Sequence, residues 1–564
     1  MKEKLIIYQV FPRIFTNMNA NCVQGGTYEQ NGSGKFNDLS PKVLKSVADL
    51  GVNCIWLTGV IEMATKTAFA GIPADNPNVV KGEAGSPYAI KDYYDVAPSL
   101  AEDVEHRMEE FEALVKRIHQ QGMKVIIDFV PNHTARVYHS DVAPAGVKDF
   151  GNDDDYSKFF SASNNYYYIV NQQFSPDFPL DSEGTVPYVE FPAKATGNDC
   201  FTAFCHRNDW YETVKLNYGY DPGDHSRHFD PAPDTWLKML HILRFWAKKG
   251  VDGFRCDMVF MVPQEFWHWA IPQVKKDYPD VIFIGEIYDV NLYRSFLDYC
   301  HFDYLYDKVN LYDTLVGIEK HNISAAQLTS CWQRVDGIGD SMLNFLENHD
   351  EVRFASREYA DDPAKVVPSL VVSSMISRGP FMIYYGQELG EMAHDNEGFA
   401  GDNNRSTIFD YWSYDTLRRW YDGGKCSALK LTRHERWLRN LYKRVLTMCN
   451  SHRAIREGSF FDLMYVNLRH DGFNPHRQYA FLRYTEDEAL LIIANFDNKE
   501  AMLSLNIPEL AIDMAGLASV EQRSKDLLWG KEYTFSVGSD AETRLIVGAH
   551  DAIILPLKIN DRKL

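Results

Sequence analysis

The chain has 564 residues, of which 45% are hydrophobic, 24% charged and 13% aromatic, and its formal net charge is −20. A chain of this length exceeds what one hydrophobic core usually holds, which predicts more than one domain. Because nucleic acids and anionic membranes repel an acidic surface, the charge argues against both as partners, although it also serves solubility.

The nine cysteines are scattered, odd in number and without a CxxC pair. This pattern argues against a disulfide framework and a zinc site and favours a reducing compartment. The N-terminal segment MKEKLIIYQVFPRIF lacks the order of a secretion signal, and no apolar run reaches the roughly 18 residues of a membrane span. If Met1 is the native start, we expect a cytoplasmic protein.

Short apolar runs alternate with amphipathic segments, as expected for strands buried on both faces of a parallel sheet. The predicted strands are Leu5–Val10, Asn53–Leu57, Lys124–Phe129, Val251–Asp257, Val281–Glu286, His301–Tyr306, Met342–Leu346 and Pro380–Tyr385. Helical periodicity is clear in Glu105–Gln121, Asp234–Lys249 and Gln264–Lys276. Eight strand–helix units predict an α/β fold, a (β/α)8 or TIM barrel.

Two stretches interrupt this alternation. Residues 134–216, rich in Asn, Asp, Tyr and Phe, have no clear helical period, which predicts a subdomain inserted after strand 3. From about residue 457 short β-type runs follow, which predict a C-terminal antiparallel β-sandwich over 457–564. The barrel itself is then formed by residues 1–133 and 217–456.

Carboxylates collect at the C-terminal ends of the predicted strands, where chemistry takes place in such barrels. The polar residues at these ends are Asp128, Asn132, His133, Arg255, Asp257, Glu286, Glu347, His349, Asp350 and Glu351. Neighbouring acids raise one carboxyl pKa and an arginine lowers another, which produces the nucleophile and the protonated acid that glycosidic cleavage requires. The alternative for these acids is helix capping or cation binding.

The spacing of the strands supports the first interpretation. Strands 4 and 5 are neighbours, and adjacent strands lie about 4.8 Å apart. Asp257 and Glu286 can therefore reach the separation of about 5 Å that a retaining mechanism needs.

Four segments then resemble the signature segments of the α-amylase family of glycoside hydrolases, in the right order and at the right strand ends. They are DFVPNH (128–133), GFRCD (253–257), GE (285–286) and NHD (348–350). SPYAIKDYYDV (86–96) and DNNRSTIFDYW (402–412) are similar to two further family segments. The resemblance covers nearly the whole chain. It implies retaining hydrolysis of α-glucosidic bonds in α-glucans or malto-oligosaccharides through a covalent glycosyl-aspartate.

The resemblance also implies a role for each matching residue. Asp257 matches the nucleophile, Glu286 the general acid/base and Asp350 the third acid, which grips sugar hydroxyls. Arg255 matches the guanidinium that keeps the nucleophile ionised. The matching sugar-binding residues are Tyr88, His133, His349, Arg405 and Asp402.

The sequence departs from the family pattern at two places. Lys215 stands where a calcium-binding aspartate is implied, and an ammonium cannot ligate a cation but can fill its site. We therefore do not expect that calcium, and we expect no catalytic cofactor; Asn17–Asn21 offers oxygens for a different calcium or simply forms a turn. Phe260 lies in the run that replaces the family's Lys-His pair, and we expect it to shape the acceptor side.

Other activities on this scaffold stay open. An α-glucan transglycosylase or isomerase and an α-1,6-glucosidase would use the same acids. A catalytically inactive sugar-binding or transport-accessory protein would be expected to lose them, and all three are present. The sequence predicts neither linkage preference nor oligomeric state.

Overall fold

The computed structural model describes residues 3–399, 401–538 and 541–560. At its centre a parallel sheet closes into a barrel. Its strands are β1 (Ile6–Val10), β2 (Cys54–Leu57), β3 (Lys124–Phe129), β4 (Gly253–Cys256), β5 (Ile282–Gly285), β6 (Tyr304–Tyr306), β7 (Met342–Phe345) and β8 (Phe381–Tyr384). All eight predicted strands are thus confirmed, and β8 pairs with β1 to close the ring.

Helices surround the barrel. The longer ones are Pro41–Ala48, Arg107–Gln120, Asp234–Lys248, Gln264–Asp277, Asp313–His321, Gln327–Arg334, Val366–Met375 and Arg433–Ser451. The apolar face of Asp234–Lys248 is buried, as its periodicity predicts. Gly250, with φ +92°, follows this helix and allows the sharp turn into β4.

Between β3 and β4 the chain makes only short pairings. His133–Ala135 pairs with Thr213–Lys215, and Tyr168–Ile169 pairs with Ala193–Lys194, both antiparallel. The loops around them enclose a small apolar cluster of their own, which includes Phe174. This insertion brings His133 and Lys215 opposite each other beside the barrel mouth.

The C-terminal region is built from antiparallel strands, as the sequence predicts. Its largest sheet contains Ser459–Asp462, Gln478–Tyr484, Ala489–Asn495 and Asp551–Leu557. Two further pairs are Ala501–Asn506 with Glu542–Val547 and Glu521–Lys525 with Glu532–Ser536. The division into domains at 133/134, 216/217 and 456/457 stays a prediction.

Helix Val366–Met375 joins the two halves of the molecule. Every one of its residues is buried, because it packs against β7 on one side and against Ala489–Asn495 and Asp551–Leu557 on the other. Within the described ranges, none of the helices has both the length and the apolarity to cross a bilayer. The cytoplasmic location stays a prediction.

Candidate active site

The acids named above meet at the C-terminal mouth of the barrel. In the register of the sheet Arg255 lies between Asp128 on β3 and Ile284 on β5. The backbone N–H of Asp257 donates to Phe129 O at 2.9 Å, and that of Glu286 to Cys256 O at 3.0 Å. Both carboxyls are therefore fixed at the point where two adjacent strands end.

One guanidinium holds these carboxyls together. Arg255 Nη1 lies 2.8 Å from Asp257 Oδ1 and 3.5 Å from Asp128 Oδ1, and Nη2 lies 2.8 Å from Glu286 Oε1. The Arg255 side chain is 1% exposed. Since a buried charge without a partner is strongly destabilising, this arginine and its carboxylates depend on one another.

Aromatic rings enclose the same guanidinium. Arg255 Cζ lies 5.4 Å from the ring centres of Trp56, Tyr88 and Tyr306. Trp56 Nε1 donates to Asp128 Oδ2 at 3.2 Å. The rings exclude water from the charged cluster and so strengthen the electrostatic interactions within it.

Asp257 and Glu286 form a coupled acid pair. Burial raises the pKa of Asp257 well above its usual range, the carboxylate of Glu286 raises it further, and Arg255 opposes both effects. The Met258 backbone N–H donates to Glu286 Oε2 at 2.8 Å, and the Tyr288 hydroxyl donates to Oε1 at 2.6 Å. The two buried carboxyls thus lie on one guanidinium, and the charge of each opposes the ionisation of the other.

Asp350, the third acid, is held by His349. Its Oδ2 lies 3.0 Å from His349 Nε2, and that nitrogen lies 2.5 Å from the Tyr88 hydroxyl, whose ring stacks on the imidazole. Partial burial would raise the pKa of Asp350, but His349, Arg255 and Arg405 lower it to about 2. The Asp350 side chain is 42% exposed and faces the open mouth as a carboxylate.

His133 lines the same cavity on the side of the insertion. Burial, followed by the charge of Lys215, lowers the pKa of His133 to about 3. Its ring lies 5.3 Å from that of Trp210. His133 is therefore a neutral imidazole that offers a hydrogen bond without a charge.

Lys215 occupies a nest of oxygens next to this side of the site. Its Nζ donates to Asn132 Oδ1 at 2.5 Å and to Met261 O at 3.1 Å, and it lies 2.7 Å from Asp199 Oδ1. Oxygens of this kind bind calcium in proteins. Because an ammonium already neutralises them, the residues present do not fit a calcium ion at this position.

Two predicted residues lie at the rim rather than in the cavity. Asp402 lies 3.6 Å from Arg357, and the side chain of Arg405 is exposed and acts on Asp350 only through its charge. Phe260 is 36% exposed and lines a neighbouring cavity. The cavity thus brings together Tyr88, His133 and the three acids. It does not include Asp402, Arg405 or Phe260.

The sequence reasoning missed several residues of the site. Gln9 Nε2 lies 2.9 Å from His349 Nδ1, and Tyr288 contacts Glu286. Gln9 was visible as the one polar residue of an apolar strand, and Tyr288 as a residue two positions after a strand-end acid. Trp210, Lys81 and Glu212 belong to no strand end and carried no such signal.

The comparisons with known proteins agree with this architecture. A family model described as the catalytic domain of alpha amylase matches residues 9–444. Together with the cluster of carboxyls at the barrel mouth, this match places the protein in the glycoside hydrolase class. The chain belongs to the α-amylase family of glycoside hydrolases.

Individual relatives are distant but cover most of the chain. An alpha-glucosidase of Apis mellifera is 25% identical and is aligned over 90% of this chain and 88% of its own length. A cyclomaltodextrinase of Thermoanaerobacter pseudethanolicus is 22% identical, with 93% and 75% covered. The crystal structure of the maltogenic alpha-amylase AmyB from Thermotoga neapolitana superposes with a TM-score of 0.61 at 19% identity, over 99% of both chains.

Proposed function

We propose that this protein hydrolyses α-glucosidic bonds of α-glucans or malto-oligosaccharides with retention of configuration. The observation that carries the proposal is the buried Arg255 fork, which holds Asp257 and Glu286 at 2.8 Å each. One guanidinium between two carboxyls is consistent with the separation of about 5 Å found in retaining enzymes.

In the first step Asp257 attacks the anomeric carbon and forms an ester with it. The bond from that carbon to the glycosidic oxygen breaks, its electron pair passes to the oxygen, and the oxygen takes the proton of Glu286. In the second step water gives a proton to Glu286 and attacks the same carbon, and the ester bond to Asp257 breaks. The free acids are then restored.

These steps require Asp257 to be ionised and Glu286 to carry the proton when the sugar is bound. The hydrogen bond from Arg255 Nη1 stabilises the ionised form of Asp257. Arg255 Nη2 lies at the same distance from Glu286, so we propose that the bound glycosidic oxygen, a hydrogen-bond acceptor beside Glu286, decides which acid carries the proton.

The remaining residues bind the sugar ring at the cleavage point. We assign the stacked Tyr88 and His349 to the apolar face and the ionised Asp350 to the hydroxyls. Neutral His133, which also lines the cavity, donates a hydrogen bond to a sugar hydroxyl or accepts one from it. We assign Arg405 and Asp402 to the rim, where they contact substrate only if the loop that carries them closes.

A second candidate function is transglycosylation, which uses the same intermediate with a sugar in place of water. A cavity of 570 Å³ is lined by Phe260, Tyr220, Phe201 and Tyr167. The ring of Phe260 lies 6.3 Å from that of Tyr288, which contacts Glu286. Aromatic rings at a cavity of this size favour a bound sugar acceptor.

Incubation with maltoheptaose and panose, followed by anomeric proton NMR, tests the proposal. We expect products that first appear as α-anomers. Chains longer than the substrate would establish transfer, and cleavage of panose alone would establish α-1,6 action. Early β-anomers would exclude the retaining mechanism, and no change in either sugar would exclude the proposed substrates.

A further inference from the structure

The cavity that contains the three acids is small. Its volume is 290 Å³, at the lower bound of the roughly 300–1,000 Å³ that hold a drug-sized ligand. A cleft that runs along several sugar units would be larger and open at both ends. The size of this cavity therefore favours a pocket that is closed at one end.

A wall of three segments closes the side of the cavity near His133. The Ala84 N–H donates to Phe409 O at 2.9 Å, and the Glu83 N–H donates to Asp410 Oδ1 at 3.2 Å. These bonds tie the loop after β2 to the loop after β8. The backbone approach is tight, because a Cβ on Gly82, whose φ is +65°, would lie 2.2 Å from Phe409 O.

A buried ion pair completes this wall from the insertion. Lys81 Nζ lies 2.9 Å from Glu212 Oε2, and it also donates to Asp209 O at 3.3 Å. Both side chains line the cavity, with 11% and 5% of their surfaces exposed. A paired ammonium and carboxylate at the end of a sugar pocket offer a donor and an acceptor to terminal hydroxyls.

Beyond Glu286, the proposed acid, the cavity is lined by Tyr288, whose ring centre lies 6.3 Å from that of Phe260. Phe260 also lines the 570 Å³ cavity. Since Glu286 must face the leaving group, we expect the leaving part of the substrate to extend past Tyr288 towards that second cavity.

We infer that the pocket accepts a single glycosyl unit, the non-reducing end of the substrate, and that the Lys81–Glu212 pair with the Phe409 backbone ends the pocket there. The protein then removes terminal units from short α-glucosides and does not cut inside a chain. This inference rests on the proposed function and names its substrate class.

Two chromogenic substrates test it. One is 4-nitrophenyl α-glucoside, and the other is the 4-nitrophenyl maltoheptaoside whose terminal sugar is blocked by an ethylidene group. We expect release of nitrophenol from the first and no shorter fragment from the second, measured by chromatography. Internal cleavage of the blocked substrate would overturn the inference but leave hydrolysis standing. Failure to cleave these two substrates, free maltoheptaose and panose would overturn the proposed function and the inference with it.

Two double variants distinguish the effect of opening the wall from a general loss of folding. The double variant Lys81→Ala/Glu212→Ala shortens both side chains, and we expect it to cleave the blocked substrate. Its kcat/KM on the glucoside is expected to fall about tenfold or more, because the donor and acceptor for the terminal hydroxyls are lost. Lys81→Met with Glu212→Gln keeps the volume, and its pocket is expected to stay closed to the blocked substrate. Thermal melts confirm that both pairs fold. If both folded variants leave the blocked substrate uncut and the glucoside activity unchanged, the pair does not end the pocket.

Discussion

At the scale of single residues, Arg255 holds two carboxyls in one fork. Under the proposed mechanism, replacing Asp257 by Gly is expected to lower kcat by at least about 10⁴-fold, because the proposed covalent intermediate is lost. Azide should rescue this variant by attack from the emptied face and yield a β-glycosyl azide. Glu286→Ala with azide should yield the α-azide instead, since the covalent intermediate still forms. Mass and NMR analysis of the azides checks the assignment, and exchanged anomers would reverse the two roles.

The acid limb of the pH profile is expected to belong to Asp257, whose pKa is raised by burial and by the charges of Glu286 and Asp350. Activity falls at low pH, because a protonated carboxyl cannot attack the anomeric carbon. Asp350, with a pKa of about 2, and His133, with a pKa of about 3, keep their charge states between about pH 4 and pH 9. Asp350→Asn removes one of the charges that act on Asp257 and should therefore lower kcat/KM and move the acid limb to lower pH. An unmoved acid limb in this variant would show that Asp350 does not influence the proposed nucleophile.

The lowered pKa of Asp350 also determines how the stability of the fold changes with pH. Because the folded pKa of Asp350 lies below the usual carboxyl value, its ionised form stabilises the fold above the unfolded pKa of about 3.9. That contribution is lost as the pH falls towards 2. Acid unfolding of Asp350→Asn, followed by tryptophan fluorescence, is expected to show a weaker pH dependence in this window than the parent protein.

The acids were predictable because each follows a buried strand, and strand ends converge in a barrel. The residues that contact these acids were harder to predict from the sequence. Gln9 and Tyr288 act through side-chain geometry that periodicity does not encode, and the backbone N–H of Met258 reaches Glu286 only because Met258 has a φ of +43°. The roles of the site residues stay predictions.

At the scale of elements, Met258 also explains why β4 is shorter than predicted. Its left-handed backbone follows Asp257 directly, so the strand ends at Cys256. In the same way His301, with φ +68°, delays the start of β6 to Tyr304. Positive φ at a residue other than glycine has no strong sequence signal, and these boundaries were therefore missed although the strands themselves were found.

Lys215, which lies on the insertion, allows a prediction about calcium and stability. Since its ammonium fills the nest formed by Asn132, Met261 and Asp199, we expect no calcium to bind at this position. Lys215→Ala should destabilise the fold by about 1–3 kcal/mol, because buried oxygens lose their donor. Lys215→Asp should gain more stability from millimolar calcium than the parent protein does, measured by calorimetry. An equal effect of calcium on the two proteins would contradict this prediction.

At the scale of the whole molecule, the barrel and the C-terminal sheets share one core. Buried Arg483 donates to the carbonyls of Ala454, Ile376, Ile455 and Gly458, and so bridges the two regions. Removing residues 457–564 would expose helix Val366–Met375, whose residues are all buried. We expect the shortened chain to be insoluble, whereas Arg483→Lys should be folded with a lowered melting temperature. A soluble, active fragment 1–456 would show that the barrel folds alone.

The wall of the active site also has a consequence for the order of assembly. The bond between Glu83 and Asp410 joins positions 327 residues apart, and β1 has its partner β8 only when the last strand of the ring is in place. Such distant contacts form late, because the loop between them must first be closed. A growing chain on the ribosome thus holds Asp257 and Glu286 long before it holds a pocket. Activity is therefore expected only once the ring is complete, well after both acids have been synthesised.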